Sequence, residues 1–388
     1  MRFLRNRFYT ICFSVMLFLG LYLSVFQSVM NEMSDMLGFD GVFSGVIIAF
    51  HFLGALIMPT VAGELGDRIG KRGVLLGAAL AMTVGVVIIA FSRHIAPMGF
   101  GIFLIGAGSC TLEGLLSAKI TDEDPQNAEK LMNYSQIFFC VGAVVGPLLV
   151  LAVRRLGGAW HVNLYVIALL LLFVIAFLRQ LPAEKKIAQV KSGSRKAFSF
   201  ALLKDGRFLL FFFAMMLYVG AEGGTAFFII GYFNEVDLVG IGEISLSLFW
   251  GSMILGRWLA GTLYRYADKI MLISLGFSIV ISVLLQWMQP SMGTAVLFFL
   301  LGLGMSAIWP LLMASCTRIF RHTSGTAGGL MMASGALGGM LMPMLVGWLS
   351  GDGGVRGAFV AVTGGMVLAL LLNVCLQKMK FKSSNGKV

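Results

Sequence analysis

Along most of this chain, apolar residues gather in runs of about twenty, each closed by a short polar or glycine-rich stretch. A run of that length forms a helix of about 30 Å, enough to cross the hydrocarbon core of a bilayer. Twelve such spans are predicted, at about 9–30, 42–63, 74–92, 97–118, 130–152, 160–178, 207–230, 243–264, 269–288, 293–317, 325–349 and 355–376. The expected fold is therefore an all-α membrane protein with twelve transmembrane helices. Composition agrees: 58% of the 388 residues are hydrophobic, 12% are charged, and the mean hydropathy is +0.91.

Most connections between the spans are short. The exception is the polar and basic stretch 179–206, RQLPAEKKIAQVKSGSRKAFSFALLKDG. It divides the chain into an N-terminal six-helix bundle (1–178), a linker (179–206), and a C-terminal six-helix bundle with a short tail (207–388). An even number of spans places both termini on one side. With that side cytoplasmic, all but four of the 29 Lys and Arg residues face the cytoplasm; the others are Arg93, Arg154, Arg155 and Arg356. This asymmetry is the positive-inside pattern. The net charge of +11 is thus a matter of topology, and nucleic acid is not an expected partner. The expected location is the inner membrane of a bacterium.

The N-terminal MRFLRNRFYT followed by an apolar run has the outline of a signal peptide. The run continues to about Met30 without a clear small-residue cleavage site, so a retained first helix is expected. Cys12, Cys110, Cys140, Cys316 and Cys375 all fall inside apolar runs without metal-site spacing. Free, buried thiols are expected, with no disulfide framework, no metal and no cofactor.

Chemistry-bearing residues are few. Residues 63–73 read GELGDRIGKRG, between the second and third spans. Its glycines permit a tight turn and close helix approach, and Asp67 is placed to pair with an arginine or to cap a helix. The stretch resembles the signature G-x-L-x-D-R-x-G-[RK]-[RK] of the major facilitator superfamily, matching at Gly63, Leu65, Asp67, Arg68, Gly70, Lys71 and Arg72. The layout of two six-helix halves joined by a basic loop is that family's as well. The resemblance implies alternating access, with substrate bound near the midplane between the halves. It also implies that this loop is a cytoplasmic latch. The alternative for the loop is a solvated cluster of topogenic charge. A looser copy, GRWLAGTLYRYADK, begins at Gly256 after the eighth span and adds Arg257 to the expected gate.

Further stretches resemble the fucose/glucose/galactose-type sugar–proton symporters within that superfamily. They are GAGSCTLEGLLSA in the fourth span, NAEKLMNYSQIFFCVGAVVGPLL in the fifth, YVGAEGGTAFFIIGYF in the seventh, and GMSAIWPLLMASCTRIF with GTAGGLMMASGALGGMLMPMLVGWLSG in the tenth and eleventh. The resemblance implies that Glu113 exchanges a proton and that Gln136 lies close to substrate. Two positions depart from the family. Gln27 stands where it has an acid, and Phe139 stands where it has a sugar-binding asparagine.

Glu113 and Glu222 are the only acidic residues well inside the spans. A carboxylate there costs about 2.5 kcal/mol or more on insertion scales, so an intramembrane acid is read first as functional. Such a group can load a proton on one side and release it on the other. A structural ion pair or a hydrogen-bonded protonated acid is the alternative. Gln27, Asn31, Asn133, Gln136 and Asn373 offer amides to a polyol or to neighbouring helices. Tyr218, Trp250 and Trp309 offer aromatic faces to a sugar or to packing. His51, isolated in an apolar run, is expected to be structural. The candidate solute contacts are Gln27, Gln136, Tyr218, Trp250 and Trp309.

These features point to a secondary active transporter, a monomer moving a small polar solute such as a sugar together with protons. A proton-coupled drug or metabolite efflux antiporter is the rival within the superfamily. GAVVGP (142–147) is a fragment of an antiporter motif whose other glycines are replaced by Asn133, Leu149 and Val150. A membrane enzyme is disfavoured because the chain has no nucleotide loop, no G-x-S-x-G and no H-E-x-x-H. A sensor that has lost transport stays open as a reading of another class.

Overall fold

A computed structural model describes residues 6–36, 41–182, 200–234 and 241–385. Among them there are helices and turns but no strand. In chain order the α-helices are α1 (Arg7–Met36), α2 (Gly41–Ile69), α3 (Lys71–Phe91), α4 (Ile95–Glu123), α5 (Ala128–Arg155), α6 (His161–Leu178), α7 (Gly206–Asn234), α8 (Ile241–Thr262), α9 (Ala267–Trp287), α10 (Thr294–Met305), α11 (Ile308–Ile319) and α12 (Ser324–Asn385). Nine helical stretches among the described residues have the length and composition to cross a membrane. The other expected spans correspond to α2, α8 and the first part of α12.

Helices and expected spans differ in two places. The span expected at 293–317 is divided into α10 and α11 around Ser306 and Ala307. Pro310, four residues beyond Ser306, has no N–H to offer the Ser306 carbonyl, and its ring crowds that carbonyl, so a regular helix is interrupted there. Conversely, the spans expected at 325–349 and 355–376 share the helical conformation of α12, 62 residues in all. A straight helix would separate Met342 from Gly365 by roughly 35 Å. The Met342 methyl instead lies 2.8 Å from where a Cβ on Gly365 would stand. The chain therefore doubles back, and α12 supplies two spans side by side.

The chain forms two compact units. The first comprises Met1–Gln126, Phe138–Ser199 and Thr317–Ala333; the second comprises Asn127–Ile137, Phe200–Cys316 and Ser334–Val388. The start of α5 thus packs within the second unit, and the end of α11 with the start of α12 packs within the first. In the first unit, close approach of helices rests on residues without side chains. Gly142 of α5 lies against the Leu17 carbonyl of α1, and Gly106 of α4 lies against the His51 carbonyl of α2. In the second unit, Gly302 of α10 meets the Phe249 carbonyl of α8, and Gly338 of α12 meets the Met216 carbonyl of α7. Tyr232, Phe298 and Phe359 form an aromatic cluster there, with ring centroids 5.3–5.9 Å apart.

None of the five cysteines is in a disulfide. Cys12, Cys140 and Cys316 are buried as expected, but Cys110 is only partly buried and Cys375 is exposed. The expectation of five buried thiols is corrected on those two. A helix face turned towards lipid is as apolar as one turned towards protein, so apolar neighbours in sequence do not separate the two. Residues 183–199 of the expected linker lie outside the described residues; the stretch Phe200–Lys204 after them is a short 3-10 turn.

Candidate functional site

In the first unit, polar groups converge on the turn between α2 and α3. Gly70 takes φ 100°, a conformation that favours glycine, and this lets α3 start one residue after α2 ends. Asp67, in the last turn of α2, pairs with no arginine among the described residues. It accepts hydrogen bonds from the backbone N–H groups of Gly325 (2.9 Å) and Thr326 (2.7 Å) and from the Thr326 hydroxyl (2.8 Å). These are orphan donors at the start of α12, so a carboxylate from another helix caps it. The approach requires Gly63 and Gly325, because a Cβ on either would run into the other's backbone. Lys71 Nζ bridges Asp67 (3.3 Å) and Asp122 of α4 (2.9 Å). Asp122 also accepts from the Ser324 hydroxyl at 2.8 Å, and its carbonyl accepts from Arg321 at 3.3 Å. Nearby, the Thr317 and Thr121 hydroxyls are 3.0 Å apart. Arg68 pairs with Glu64 on its own helix, and Arg72 donates to the Arg179 carbonyl.

Glu113 lies three turns before the end of α4 and is partly exposed. Cys110 lies on the preceding turn. The adjacent Gly114 packs on Gly328 and Met332 of α12. His51 stacks on Phe26 with centroids 5.6 Å apart, and its Nε2 has no hydrogen-bond partner among the described residues; the same is true of the Tyr22 hydroxyl. The structural reading of His51 holds only in part, as a stacked ring rather than a fully hydrogen-bonded one.

The second unit holds a separate buried polar centre. The interruption between α10 and α11 leaves carbonyls at the end of α10 without intrahelical donors. Tyr218 of α7 donates to the Met305 carbonyl at 2.9 Å, and Arg257 Nε of α8 donates to the Ser306 carbonyl at 3.1 Å. The Tyr218 hydroxyl is also 2.8 Å from Glu222 Oε1, one turn along α7. Arg257 Nη1 donates to the Gln136 carbonyl of α5 at 3.1 Å, while its Nη2 stands 4.0 Å from Glu222 Oε1. Arg257 is only 3% exposed and Tyr218 is fully buried. Gly261, one turn beyond Arg257, packs on the Tyr134 ring and Asn133 of α5. The loose second copy of the signature is thus in contact with the start of α5, as the first is with the start of α12.

The sequence-derived residues therefore fall into two groups. Gly63, Asp67, Lys71 and the α12 donors come together, whereas Arg68 and Arg72 have contacts elsewhere. Glu222, Tyr218, Arg257 and the Gln136 backbone come together in the second unit. Trp250 is half-buried on α8, and Trp309, directly before Pro310, is buried. Gln27 lies on α1, but its side chain falls outside what is described. Sequence reading missed Asp122, Ser324, Thr326 and the two carbonyls of the α10 end. Pro310 was the available signal for the carbonyls; Asp122 lies beyond the expected end of the fourth span at 118.

The sequence profile described as "Major Facilitator Superfamily" matches residues 11–295 and 265–385. The chain belongs to the Major Facilitator Superfamily. Within that superfamily, the chain is 28% identical over 314 residues to the glucose/mannose transporter GlcP of Bacillus subtilis, covering 78% of each. It is 25% identical over 345 residues to a glucose/galactose transporter of Brucella abortus, covering 81% of each. Its fold matches the crystal structure of the E. coli fucose:proton symporter FucP with a TM-score of 0.77 at 15% identity, covering 95% of this chain and 98% of that one. As a superfamily member with this fold, the chain is an integral, multi-pass membrane transporter.

Proposed function

We propose that this chain is a proton-coupled symporter of a small polar solute of the hexose class, in the inner membrane of a bacterium with both termini cytoplasmic. The observation that carries the coupling is the buried centre of Glu222, Tyr218 and Arg257. An acid there, hydrogen-bonded to a phenol and near a guanidinium, can hold or release one proton at low cost only if its neighbours rearrange. Kinship with two hexose transporters supports the solute class. Glu113 is the second proposed coupling acid, in the first unit.

The solute is contacted by Gln27, Gln136, Trp250 and Trp309. Tyr218, with its hydroxyl committed to Glu222 and the Met305 carbonyl, reaches solute only through its ring. Gly63, Asp67, Gly70, Lys71 and Asp122 form the latch on the start of α12; Arg257 acts on the start of α5. Arg68 and Arg72 set local charge around the latch. Residues 1–178 and 207–388 form the two bundles, joined through 179–206, and the chain works as a monomer without metal or cofactor.

Purified protein in liposomes with an imposed inward proton gradient tests this reading. Labelled glucose, galactose, mannose and fucose are offered in turn. Accumulation above equilibrium of at least one, abolished by a protonophore, is expected. Gradient-driven expulsion of solute would establish the antiporter reading instead, and binding without flux would establish a sensor.

A further inference from the structure

The Tyr218 hydroxyl carries one hydrogen but lies at hydrogen-bonding distance from two acceptors, Glu222 Oε1 (2.8 Å) and the Met305 carbonyl (2.9 Å). A carbonyl has no hydrogen to give. Both contacts are full hydrogen bonds when Glu222 is protonated and donates to the Tyr218 oxygen while Tyr218 donates to Met305; an ionised Glu222 would leave the one hydrogen shared between two acceptors. The position of Arg257 agrees. An ionised carboxylate draws a guanidinium to about 2.7–2.9 Å, yet Nη2 stands 4.0 Å from Oε1. The guanidinium gives its N–H groups to the Ser306 and Gln136 carbonyls instead. The Ser306 carbonyl lies at the negative end of the α10 dipole, which favours a cation.

We infer that Glu222, Tyr218 and Arg257 form a proton-binding site whose occupancy decides whether Arg257 holds the start of α5. With the proton bound, Arg257 bridges Ser306 and Gln136, and residues 127–137 stay packed in the second unit. When the proton leaves to water, Glu222 becomes an anion and Arg257 Nη2 closes on it. The fork swings off the Gln136 carbonyl, and the start of α5 loses its one charged donor from α8. The segment also meets the second unit through Gly261 against Tyr134 and Asn133, and through Lys130 over the Tyr264 ring at 5.6 Å. The groups facing Glu222 are Tyr218 on its own helix and Arg257 from α8; α10 and α5 present carbonyls, and α12 packs on α7 through Gly338 and Met342. This inference rests on the coupling role proposed for Glu222 and gives it a mechanical output.

The test needs neither solute nor a gradient, so it stands apart from transport. Ser135, fully buried within the α5 start, is replaced by the near-isosteric cysteine in a Cys110→Ser, Cys375→Ser background. Its alkylation rate is measured in lipid nanodiscs from mildly acidic to mildly alkaline buffer. Each rate is divided by that of the unfolded chain at the same pH, which removes the thiolate's own titration. The normalised rate is expected to rise several-fold with pH, to stay flat at the acid value in Glu222→Gln, and to stay flat at the alkaline value in Arg257→Lys, which lacks the fork. Tyr218→Phe removes the phenol, which donates to the ionised acid more strongly than it accepts from the protonated one, and is expected to move the midpoint to higher pH. A wild-type slope retained in Glu222→Gln, no slope in the parent, or an unmoved midpoint in Tyr218→Phe overturns the inference. A normal slope with no solute-driven proton movement would instead overturn the symporter reading alone.

Discussion

Asp67→Asn is the sharpest perturbation of the α12 cap. The carboxylate uses two oxygens: Oδ1 for Gly325 N–H and Oδ2 for the N–H and hydroxyl of Thr326. Asparagine keeps the shape but has one acceptor oxygen, and its amide must face a donor. A buried donor left without an acceptor costs about 1–2 kcal/mol. Weakening a charge-assisted bond to a neutral one costs about 1 kcal/mol more. Loss of a negative charge at a helix start adds about 0.5 kcal/mol. The Lys71 contact at 3.3 Å adds little, because Lys71 retains Asp122. The total is about 3 kcal/mol, or roughly a hundredfold in the equilibrium between docked and undocked 317–333. Ala327 in that segment is fully buried, so a cysteine there is shielded until the segment undocks. Alkylation of Ala327→Cys in a Cys110→Ser, Cys375→Ser background, normalised to the unfolded chain, reports undocking. Asp67→Asn is expected to speed it by between about tenfold and about a hundredfold, while Arg68→Gln, which keeps the Asp67 carboxylate and its three donors, leaves it near the parent value. A change of less than about twofold in Asp67→Asn, with the variant folded, would refute the cap as the element holding this segment.

Other expectations follow from the same geometry. Pro310→Ala supplies an N–H to the Ser306 carbonyl, in competition with Arg257. The thermal midpoint is expected to hold or rise while solute flux falls; unchanged flux would show that the break is dispensable. Gly63→Ala puts a methyl into the Gly325 backbone and is expected to raise Ala327→Cys alkylation as much as Asp67→Asn does. Asp205 caps α7, accepting from Arg207 N–H at 2.8 Å and pairing with the Arg207 guanidinium. The side-chain hydrogen bond from the Arg207 guanidinium, ahead of the backbone one, holds its carboxyl below the usual range, so its stabilisation is present above the unfolded-state pKa and is lost as pH falls through the lower folded one. Because the pair is largely exposed, Asp205→Ala is expected to cost about 1 kcal/mol or less at neutral pH, and less still in acid, by denaturation in detergent.

The membrane class and the spans were legible because a bilayer demands one pattern, a long apolar run, and helices are the only open-chain answer to it. The same demand hid what interrupts the pattern. Span 293–317 reads as continuous although Pro310 divides it, since proline is tolerated in membrane helices when other groups take up the freed carbonyls. Here Arg257 takes one, and its position 49 residues away along the chain gives no local signal. The Gly63–Arg72 signature was visible because its residue types are unusual together, and its cap of a distant helix is a tertiary fact. Asp67 reads as a pairing acid from its neighbours Arg68 and Arg72, yet both turn elsewhere. Glu113 and Glu222 stood out alike because each is a charge in an apolar run. The geometry adds a phenol and a guanidinium beside Glu222.

The most direct test of the central claim is solute-driven proton movement into liposomes holding a trapped pH dye, with no imposed gradient. Parent protein and Glu222→Gln are compared, each also assayed for solute exchange. The account predicts that a hexose acidifies the lumen with the parent, and that Glu222→Gln exchanges solute without acidification. Equal acidification with Glu222→Gln, or hexose flux without any acidification by the parent, would contradict it.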